Sequence, residues 1–276
     1  MKPSLSVVTE TKPHISVSQF STFVKCGIMF KFIYRDGLKV PPGIALPKGG
    51  GYHEAAEYNA RQKVDSREDR PVDEIIEVAV AGFERRVEHE GVLLDPEDEA
   101  RGKSIVLGEA KDSTARLAAV YARQIAPRYQ PVIVEERQRV PVDDGPRDLI
   151  VVPDFVDEND VIVDLKTAAK SKVADEADKS LQLTAQFMGH LDVHERVAKQ
   201  LRLEVAIDTG NKQYVQTLET TRSLDDVQPF LDRIKLAAEA IEKEAFVPTD
   251  PSNWWCSARW CGYARTGLCP FFKGKR

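Results

Sequence analysis

The spacing of apolar residues divides the chain into a helical first part and a second part in which strands and helices mix. The first helix is predicted by an apolar run from Phe20 to Ile33, which follows serines that suit a helix N-cap and ends at Asp36-Gly37. A loop rich in proline and glycine follows. The remaining amphipathic stretches of this part predict three helices: from about Gly51 to Val64, over 71–89 and over about 97–126.

Alternating, β-branched residues begin near Gln130 and predict a different architecture for the second part. The expected elements are three consecutive strands over 131–142, 147–158 and 160–168, a helix over 180–198, two strands over 202–210 and 214–222, and a last helix over 223–244. This order predicts a single α/β unit over residues 1–276. We divide it into a helical part (about 15–128), an α/β core (about 129–222) and a helix with a loop-like tail (about 223–276).

Composition narrows the class of protein. With 42% hydrophobic and 30% charged residues, the 276-residue chain is typical of soluble globular proteins. We expect a cytoplasmic location, because no apolar run could span a membrane and residues 1–14 lack the apolar stretch of a signal peptide. The net charge of −5 gives no support for a nucleic-acid partner, although a groove that is basic only locally would remain compatible with it.

The strongest candidate for chemistry is a motif of carboxylates and a lysine on two adjacent predicted strands. Pro153-Asp154 is followed, after nine residues, by Asp164-Leu165-Lys166. We place Asp154 on one strand and Asp164 on the next, with a tight turn between them. Side chains two apart on a strand share a face, so Asp164 and Lys166 point together and Leu165 points into the opposite layer.

Two carboxylates in this arrangement can bind Mg²⁺ or Mn²⁺, which lowers the pKa of a bound water and neutralises charge on a phosphate. Lys166 could position or deprotonate that water, or stabilise the transition state. The alternative is a structural ion pair between Asp164 and Lys166. Residues 161–163 are apolar, which indicates a strand buried on both faces. Buried charges are costly there unless they are used or paired.

Four cysteines form a second candidate site: Cys26, Cys256, Cys261 and Cys269. Disulfides are not expected in a cytosolic protein, and thiolates favour an iron–sulfur cluster or zinc. One distant and three clustered cysteines fit poorly with the paired knuckles of zinc modules. An iron–sulfur cluster, zinc and an incomplete cluster all stay open. If only the cysteines were functional, the chain would be a metal-cluster redox protein.

Aromatic and basic residues accompany the cysteines. We expect the aromatic side chains to pack around the cysteine site and exclude water, with stacking on single-stranded bases as the alternative; they are Trp254, Trp255, Trp260, Phe271 and Phe272. If the cysteines join the two ends of the chain, basic residues would converge into a phosphate-binding surface; these are Lys25, Lys31, Arg35, Lys39, Arg259, Arg265, Lys273, Lys275 and Arg276.

The Pro-Asp and Asp-x-Lys pieces resemble the signature of the PD-(D/E)XK nucleases. Further residues resemble the RecB-type branch, which includes the CRISPR-associated adaptation exonucleases and their phage-encoded relatives: the serine-rich start at 15–18, Cys26, Gly50-Gly51-Tyr52-His53 and Gln182. Four positions after that glutamine the family has a tyrosine, and this chain has Gln186. The resemblance implies a restriction-endonuclease-like core and a four-cysteine iron–sulfur cluster that pins the C-terminus onto the first helix.

The resemblance also implies site residues and an activity. The metal, Mg²⁺ or Mn²⁺, would be held by His53, Asp154, Asp164 and the Leu165 carbonyl, with Lys166 and Gln182 assisting catalysis. The expected activity is a DNA exonuclease acting 5′ to 3′ on single-stranded ends in recombination, replication or repair, in the host cytoplasm if the protein is phage-encoded. Alternatives are a non-catalytic DNA-binding or adaptation-complex subunit and a structure-specific endonuclease. Recombination or adaptation proteins are possible partners, and no oligomeric state follows.

Overall fold

Helices fill the first half of the chain, as the apolar spacing predicts. In the computed structural model, which describes residues 12–274, a short strand β1 (His14–Ser16) leads into them. The helices of this half are α1 (Val17–Lys25), α2 (Gly27–Phe30), α3 (Ala45–Ser66), α4 (Val72–Glu90), α5 (Pro96–Arg101) and α6 (Lys103–Val120). Turns of π-helix extend α2 over Lys31–Arg35 and α6 over Tyr121–Ile125. Residues 1–11, most of the segment in which we looked for a signal peptide, lie outside the described residues.

The first predicted helix begins as expected and then breaks. Ser16 caps α1 in a capping box, in which its hydroxyl accepts the Gln19 N–H and the Gln19 side chain accepts the Ser16 N–H. The helix stops at Cys26, whose backbone is extended. Gly27 then donates its N–H to the Val247 carbonyl at 2.8 Å, and a β-carbon at Gly27 would come within 2.6 Å of the Val247 nitrogen. The returning C-terminal segment therefore sits against the break.

Five strands replace the three predicted for residues 131–168. They are β2 (Pro131–Val134), β3 (Gln138–Val140), β4 (Asp148–Val151), β5 (Phe155–Asp157) and β6 (Val161–Ala168). The first predicted strand divides at Glu135, which has a left-handed φ of 48°, and the second divides at Pro153, which lacks an N–H for a strand ladder. The chain then continues through α7 (Leu181–His194), β7 (Gln200–Asp208), β8 (Gln213–Thr220), α8 (Leu224–Glu242) and α9 (Gly262–Arg265).

The strands form two sheets, one with the order β1-β4-β3 and one with the order β2-β5-β6-β7-β8. β6 and β7 are parallel, and the α7 crossover joins them. One core lies between the five-stranded sheet and α7 and α8, and contains Ile162 and Leu203. A second core, which contains Val163 and Leu165, lies between the opposite face and α3, α4 and α6. The central sheet is thus buried on both faces, and the mixed α/β fold class is confirmed.

Helix boundaries differ from the predictions at two places that concern the site. α3 starts at Ala45, so the segment expected to be a loop up to about Gly51 is already helical. A β-carbon at Gly51 would collide with the Ala79 carbonyl of α4, so glycine permits the close packing of α3 on α4. α7 begins at the Ser180 cap, as predicted, but ends at His194, because Glu195 adopts a left-handed backbone.

Candidate active site

Asp154 lies in the break between β4 and β5, not on a strand as we predicted. The antiparallel pairing of β5 with β6 turns this break toward the middle of β6. Asp154 Oδ2 accepts the backbone N–H of Leu165 at 2.6 Å. This bond holds the carboxylate beside Asp164, so the predicted proximity of the two acids is present although the strand assignment of Asp154 was wrong.

β6 presents its side chains to two layers, as the alternation predicts. Leu165 is buried in the core against α3, α4 and α6. Asp164 is fully buried and lies on the α7 side, where its Oδ1 accepts a hydrogen bond from Gln186 Nε2 at 3.0 Å. Lys166 Nζ lies 2.5 Å from Asp164 Oδ2. The lysine is about one-third exposed, so it joins the buried carboxylate to the surface.

His53 reaches the same place from α3. Its Nδ1 lies 3.0 Å from Asp154 Oδ1, and its side chain is one-third exposed. Asp154 therefore has both oxygens engaged, one by His53 and one by the Leu165 N–H. The structure thus brings together four of the five predicted catalytic and metal-site side chains: His53, Asp154, Asp164 and Lys166.

The fifth, Gln182, makes no hydrogen bond to these residues within the described chain. Gln186, one turn later on α7, is fully buried and bonds to Asp164 instead. In the sequence, Gln186 stood out only as a departure from the family pattern. Gln186 follows Gln182 by four residues, so both lie on one face of the helix. This spacing was the signal in the sequence that could have indicated Gln186 as a site residue.

Sequence reasoning also missed Glu135. Its N–H donates to the Asp154 carbonyl at 3.2 Å, and its side chain lies near Asp154 and Glu57. Burial, followed by the charges of Asp154 and Glu57, raises the pKa of the Glu135 carboxyl to about 7. The only sequence signal was a polar residue where the strand alternation fails.

Opposing charges set the protonation of the central groups. Burial alone would lower the pKa of His53, but the Asp154 carboxylate raises it above its ordinary value. Burial would raise the pKa of Asp154, but His53, Lys166 and the Leu165 N–H lower it. Burial raises the pKa of Asp164 despite the lysine beside it. The two acids raise the pKa of Lys166, although burial opposes this. Lys166 therefore stays cationic.

An open cleft of about 700 Å³ leads from His53 to solvent. Its walls include Gly50 of α3, Arg86 of α4 and the acids Glu57 and Glu135. Arg86 is tied to Glu54 at 2.6 Å. The cleft gives a substrate access to the edge of the site at His53.

The oxygen donors of this site fit a hard cation. Asp164 Oδ2 is buried and has no hydrogen-bond partner of suitable geometry among the described residues, and its charged neighbour is Lys166. A carboxylate oxygen left in this way is a ready metal ligand. Within residues 12–274, however, no three or more His, Cys, Asp or Glu side chains already stand together as a metal-binding group.

The four cysteines are free and half-buried. Burial and then the thiols of Cys261, Cys269 and Cys26 raise the pKa of Cys256, so the distant Cys26 lies within electrostatic reach of the tail. The contact between Gly27 and Val247 accounts for this proximity. The donor chemistry fits a thiolate-bound metal, but the thiols do not stand as an assembled ligand set in the described chain.

Of the seven described residues of the predicted basic surface, four are in ion pairs and three, Lys25, Lys39 and Lys273, are in none within residues 12–274. Arg259 and Arg265 of the tail bind acids on or next to α5, with Arg259 at 2.9 Å from Glu97 and Arg265 at 2.7 Å from Glu99. On the first helical segment, Arg35 and Lys31 are paired with Glu244 and Asp36. Lys275 and Arg276 lie outside the described residues.

The aromatic residues of the tail were expected to pack inward, and only some do. Trp255 and Phe272 are half-buried, whereas Trp254, Trp260 and Phe271 are exposed. The prediction was wrong for the exposed three.

The model of the PD-(D/E)XK nuclease superfamily matches residues 14–270 of this chain. Among solved structures, the chain is similar to a "putative exonuclease" from Eubacterium rectale, with a TM-score of 0.52 and 12% identity over 93% of this chain and 92% of the other. The structure named SSO0001 matches with a TM-score of 0.36 and 12% identity, over 64% of this chain and 80% of the other.

A comparison with the curated proteins finds no significant match. None of the helices in residues 12–274 is both long and apolar enough to cross a membrane.

Proposed function

Because the chain belongs to the PD-(D/E)XK nuclease superfamily, we propose that it is a metal-dependent DNA exonuclease that hydrolyses phosphodiester bonds. The observation that carries this proposal is the meeting of Asp154, Asp164 and Lys166, next to His53 at the end of an open cleft. The resemblance to the RecB-type branch remains part of the proposal.

Nucleases of this superfamily typically use Mg²⁺ or Mn²⁺. In this chain Asp154, Asp164 and the Leu165 carbonyl would hold the metal, with His53 completing the ligand set. Imidazole suits Mn²⁺ better than Mg²⁺, so a histidine ligand favours Mn²⁺. When bound, the metal supplies a water of lowered pKa and neutralises charge on the phosphate.

The protein residues orient and stabilise the reacting groups. Lys166 stays cationic and is about one-third exposed, so it can donate to a phosphate oxygen or to the attacking water. Gln186 fixes one oxygen of Asp164 and leaves the other for the metal. Glu135, with a pKa of about 7, stands beside Asp154 and can accept a proton at neutral pH.

We propose single-stranded DNA with free ends as the substrate, with 5′ to 3′ polarity, and a role in recombination, replication or repair in the cytoplasm. The similar solved structure from Eubacterium rectale is described as a "putative exonuclease", which supports this activity. A structure-specific endonuclease would use the same residues. A non-catalytic DNA-binding or adaptation-complex subunit would not require Asp164 and Lys166 to stay together.

The decisive test is degradation of end-labelled linear single-stranded DNA with Mg²⁺ or Mn²⁺, run beside closed circular single-stranded DNA. We expect loss of the linear strand alone, and no loss with Lys166→Ala. The order of label release gives the polarity. Cleavage of the circle would establish an endonuclease, and no cleavage of either DNA would favour the binding subunit.

For the cysteine region we propose an iron–sulfur cluster held by Cys26, Cys256, Cys261 and Cys269, with zinc as the alternative. The proposal is supported by four free thiols and by the return of the tail to Cys26. Its role would be mechanical, joining the two ends of the chain. Metal analysis and visible absorbance of anaerobically purified protein separate the outcomes: iron with sulfide, zinc, or neither.

A further inference from the structure

A second cleft lies beside the one at the proposed active site, toward the tail. It has a volume of about 760 Å³ and is lined by Lys39, Arg259, Trp260 and Arg265. Leu46 and Glu90 line both this cleft and the one at His53, so the two are adjacent. A flexible chain bound at one cleft can therefore reach the other along the surface.

Trp260 is held in place on this second cleft but remains more than half exposed. The Arg259 guanidinium lies 5.4 Å from the centre of its ring, and Trp254 meets it edge-on with ring centres 5.2 Å apart. Arg259 is in turn held by Glu97 and Asp95. Trp260 is 58% exposed and Trp254 is 64% exposed. An indole fixed by its neighbours and open to solvent is suited to stack on another flat ring.

The charges around Trp260 argue for base stacking over phosphate attraction. Arg259 and Arg265 are already paired with acids on or next to α5, and Glu90 lies in the wall. Of the three cations Lys39, Arg259 and Arg265, only Lys39 has no acidic partner within 4 Å among residues 12–274. Binding here would draw little on counterion release and much on aromatic contact, which every base can provide.

The spacing of residues along α3 indicates how far the second cleft lies from His53. Leu46 and His53 are seven residues apart, which is about 10 Å along a helix. At about 3.4 Å per stacked nucleotide, this separation corresponds to roughly three nucleotides. Trp260 lines the second cleft, which Leu46 borders, and does not line the cleft at His53, so a base that reaches it belongs to a nucleotide several steps from the bond that is cut.

From this geometry we infer that Trp260, supported by Trp254 and Arg259, is a stacking site for a base of single-stranded DNA whose scissile phosphate lies near His53. This inference rests on the proposed nuclease function and adds a binding site remote from the metal residues. A protein partner that covers the tryptophans is the competing occupant.

The chain offers a readout specific to this region, because its three tryptophans, Trp254, Trp255 and Trp260, all lie here. We would titrate the full-length protein, without added divalent metal, with a thymidine 12-mer and with an abasic 12-mer that has the same phosphates and no bases. The thymidine strand should quench tryptophan emission and the abasic strand should not. Equal quenching by both strands, or none by either, would overturn the inference and leave the surface for a protein partner.

Variants then locate the contact. Trp260→Ala should weaken binding of the thymidine 12-mer about tenfold, as expected for one lost base stack, and Trp260→Tyr should retain most of it. Leu236→Ala, which removes an exposed apolar side chain of α8, is the matched control and should bind like the parent. Affinity measured by anisotropy of a labelled strand does not depend on cleavage. A parent protein that cuts DNA without tryptophan quenching would refute this site alone, whereas quenching without cleavage would refute the nuclease.

Discussion

The carboxylate site and the cysteine region differ in what holds them together. Direct hydrogen bonds and an ion pair fix Asp164 and Lys166 of β6, Gln186 of α7 and Asp154 in the break between β4 and β5. The cysteines lie on a tail with one short helix, and what brings them near Cys26 is a backbone contact between Gly27 and Val247. The first region is ordered by the fold itself. In the second region the thiols lie near one another, but a metal would still have to draw them into a ligand set.

The two regions therefore differ in the property that a bound metal would change. In the carboxylate site, hydrogen bonds to the core already fix the side chains, although they do not stand as an assembled metal-binding group within residues 12–274. A metal would there mainly relieve charge and add chemistry. In the tail, a metal held by Cys26 and the later cysteines would close a loop of most of the chain and so add stability. Substitutions in the first region should therefore affect rate, and those in the second should affect folding.

The largest expected effect is on the rate of cleavage by Asp164→Asn. The change keeps the size of the side chain and removes the charge that the proposed metal site requires, so we expect a loss of about a thousandfold in kcat. Asp157→Asn is the matched control, because Asp157 is a buried carboxylate of β5 whose hydrogen bonds are to the Gln130 and Asn159 backbone. Near-normal cleavage by the Asp164 variant would refute the assignment of the site.

A second prediction concerns the tail. If a cluster joins Cys26 to the tail, Cys26→Ser should lower the free energy of unfolding by about 5 kcal/mol, the loop-closure value for a cross-link of this span. Chemical denaturation and metal analysis of the purified variant check it. Ser252→Ala, in the same tail, controls for a local change. If the Cys26 variant had the metal content and the stability of the parent, the cysteines would be ordinary free thiols.

The two glutamines of α7 give a third test. Gln186→Leu leaves Asp164 Oδ1 without its donor, and we expect kcat and metal affinity to fall by about tenfold to a hundredfold. Gln182→Leu should instead raise KM if Gln182 contacts DNA, as the family resemblance implies. Measuring kcat and KM of both variants across a metal titration separates the roles. A Gln186 variant with the metal response of the parent would show that the hydrogen bond is only structural.

The smallest expected effect is on how the stability of the protein depends on pH. Burial raises the pKa of Asp164 above the ordinary value of 3.8. A carboxyl with a raised pKa contributes stability below its unfolded pKa and loses it as pH rises through the folded pKa. Without metal, the urea midpoint of Asp164→Asn relative to the parent should therefore rise as the pH is raised from 4 to 8, because only the parent loses the contribution of the Asp164 carboxyl over this range. Added Mn²⁺ should stabilise the parent and not the variant. A difference between variant and parent that stays constant from pH 4 to 8 would contradict this.

The local parts of the fold could be predicted because they depend on neighbouring residues. The Ser16 and Ser180 caps and the two-faced burial of β6 follow from nearby sequence. The break at Cys26 could not be predicted, because it depends on Val247, far along the chain.

The candidate site divides in the same way. Alternation along β6 was enough to place Asp164 and Lys166 together and Leu165 opposite. Neither the left-handed turn at Glu135 nor the choice of Gln186 over Gln182 follows from spacing, because tertiary contacts to Asp154 and Asp164 decide them. The exposure of Trp260 likewise depends on where the tail comes to lie.

The contact between Gly27 and Val247 also affects the order in which parts of the protein can fold during synthesis. The β1 strand pairs with β4, and the Tyr263 hydroxyl donates to the Leu38 carbonyl across a separation of 225 residues. Gly27 and Leu38 therefore lack these partners until nearly the whole chain has left the ribosome, whereas β1 can pair as soon as β4 has emerged. The packed helices α3, α4 and α6 draw on nearer contacts and can form earlier. Cys26 is thus synthesised early, but it can approach the cysteines of the tail only after those late residues have been made.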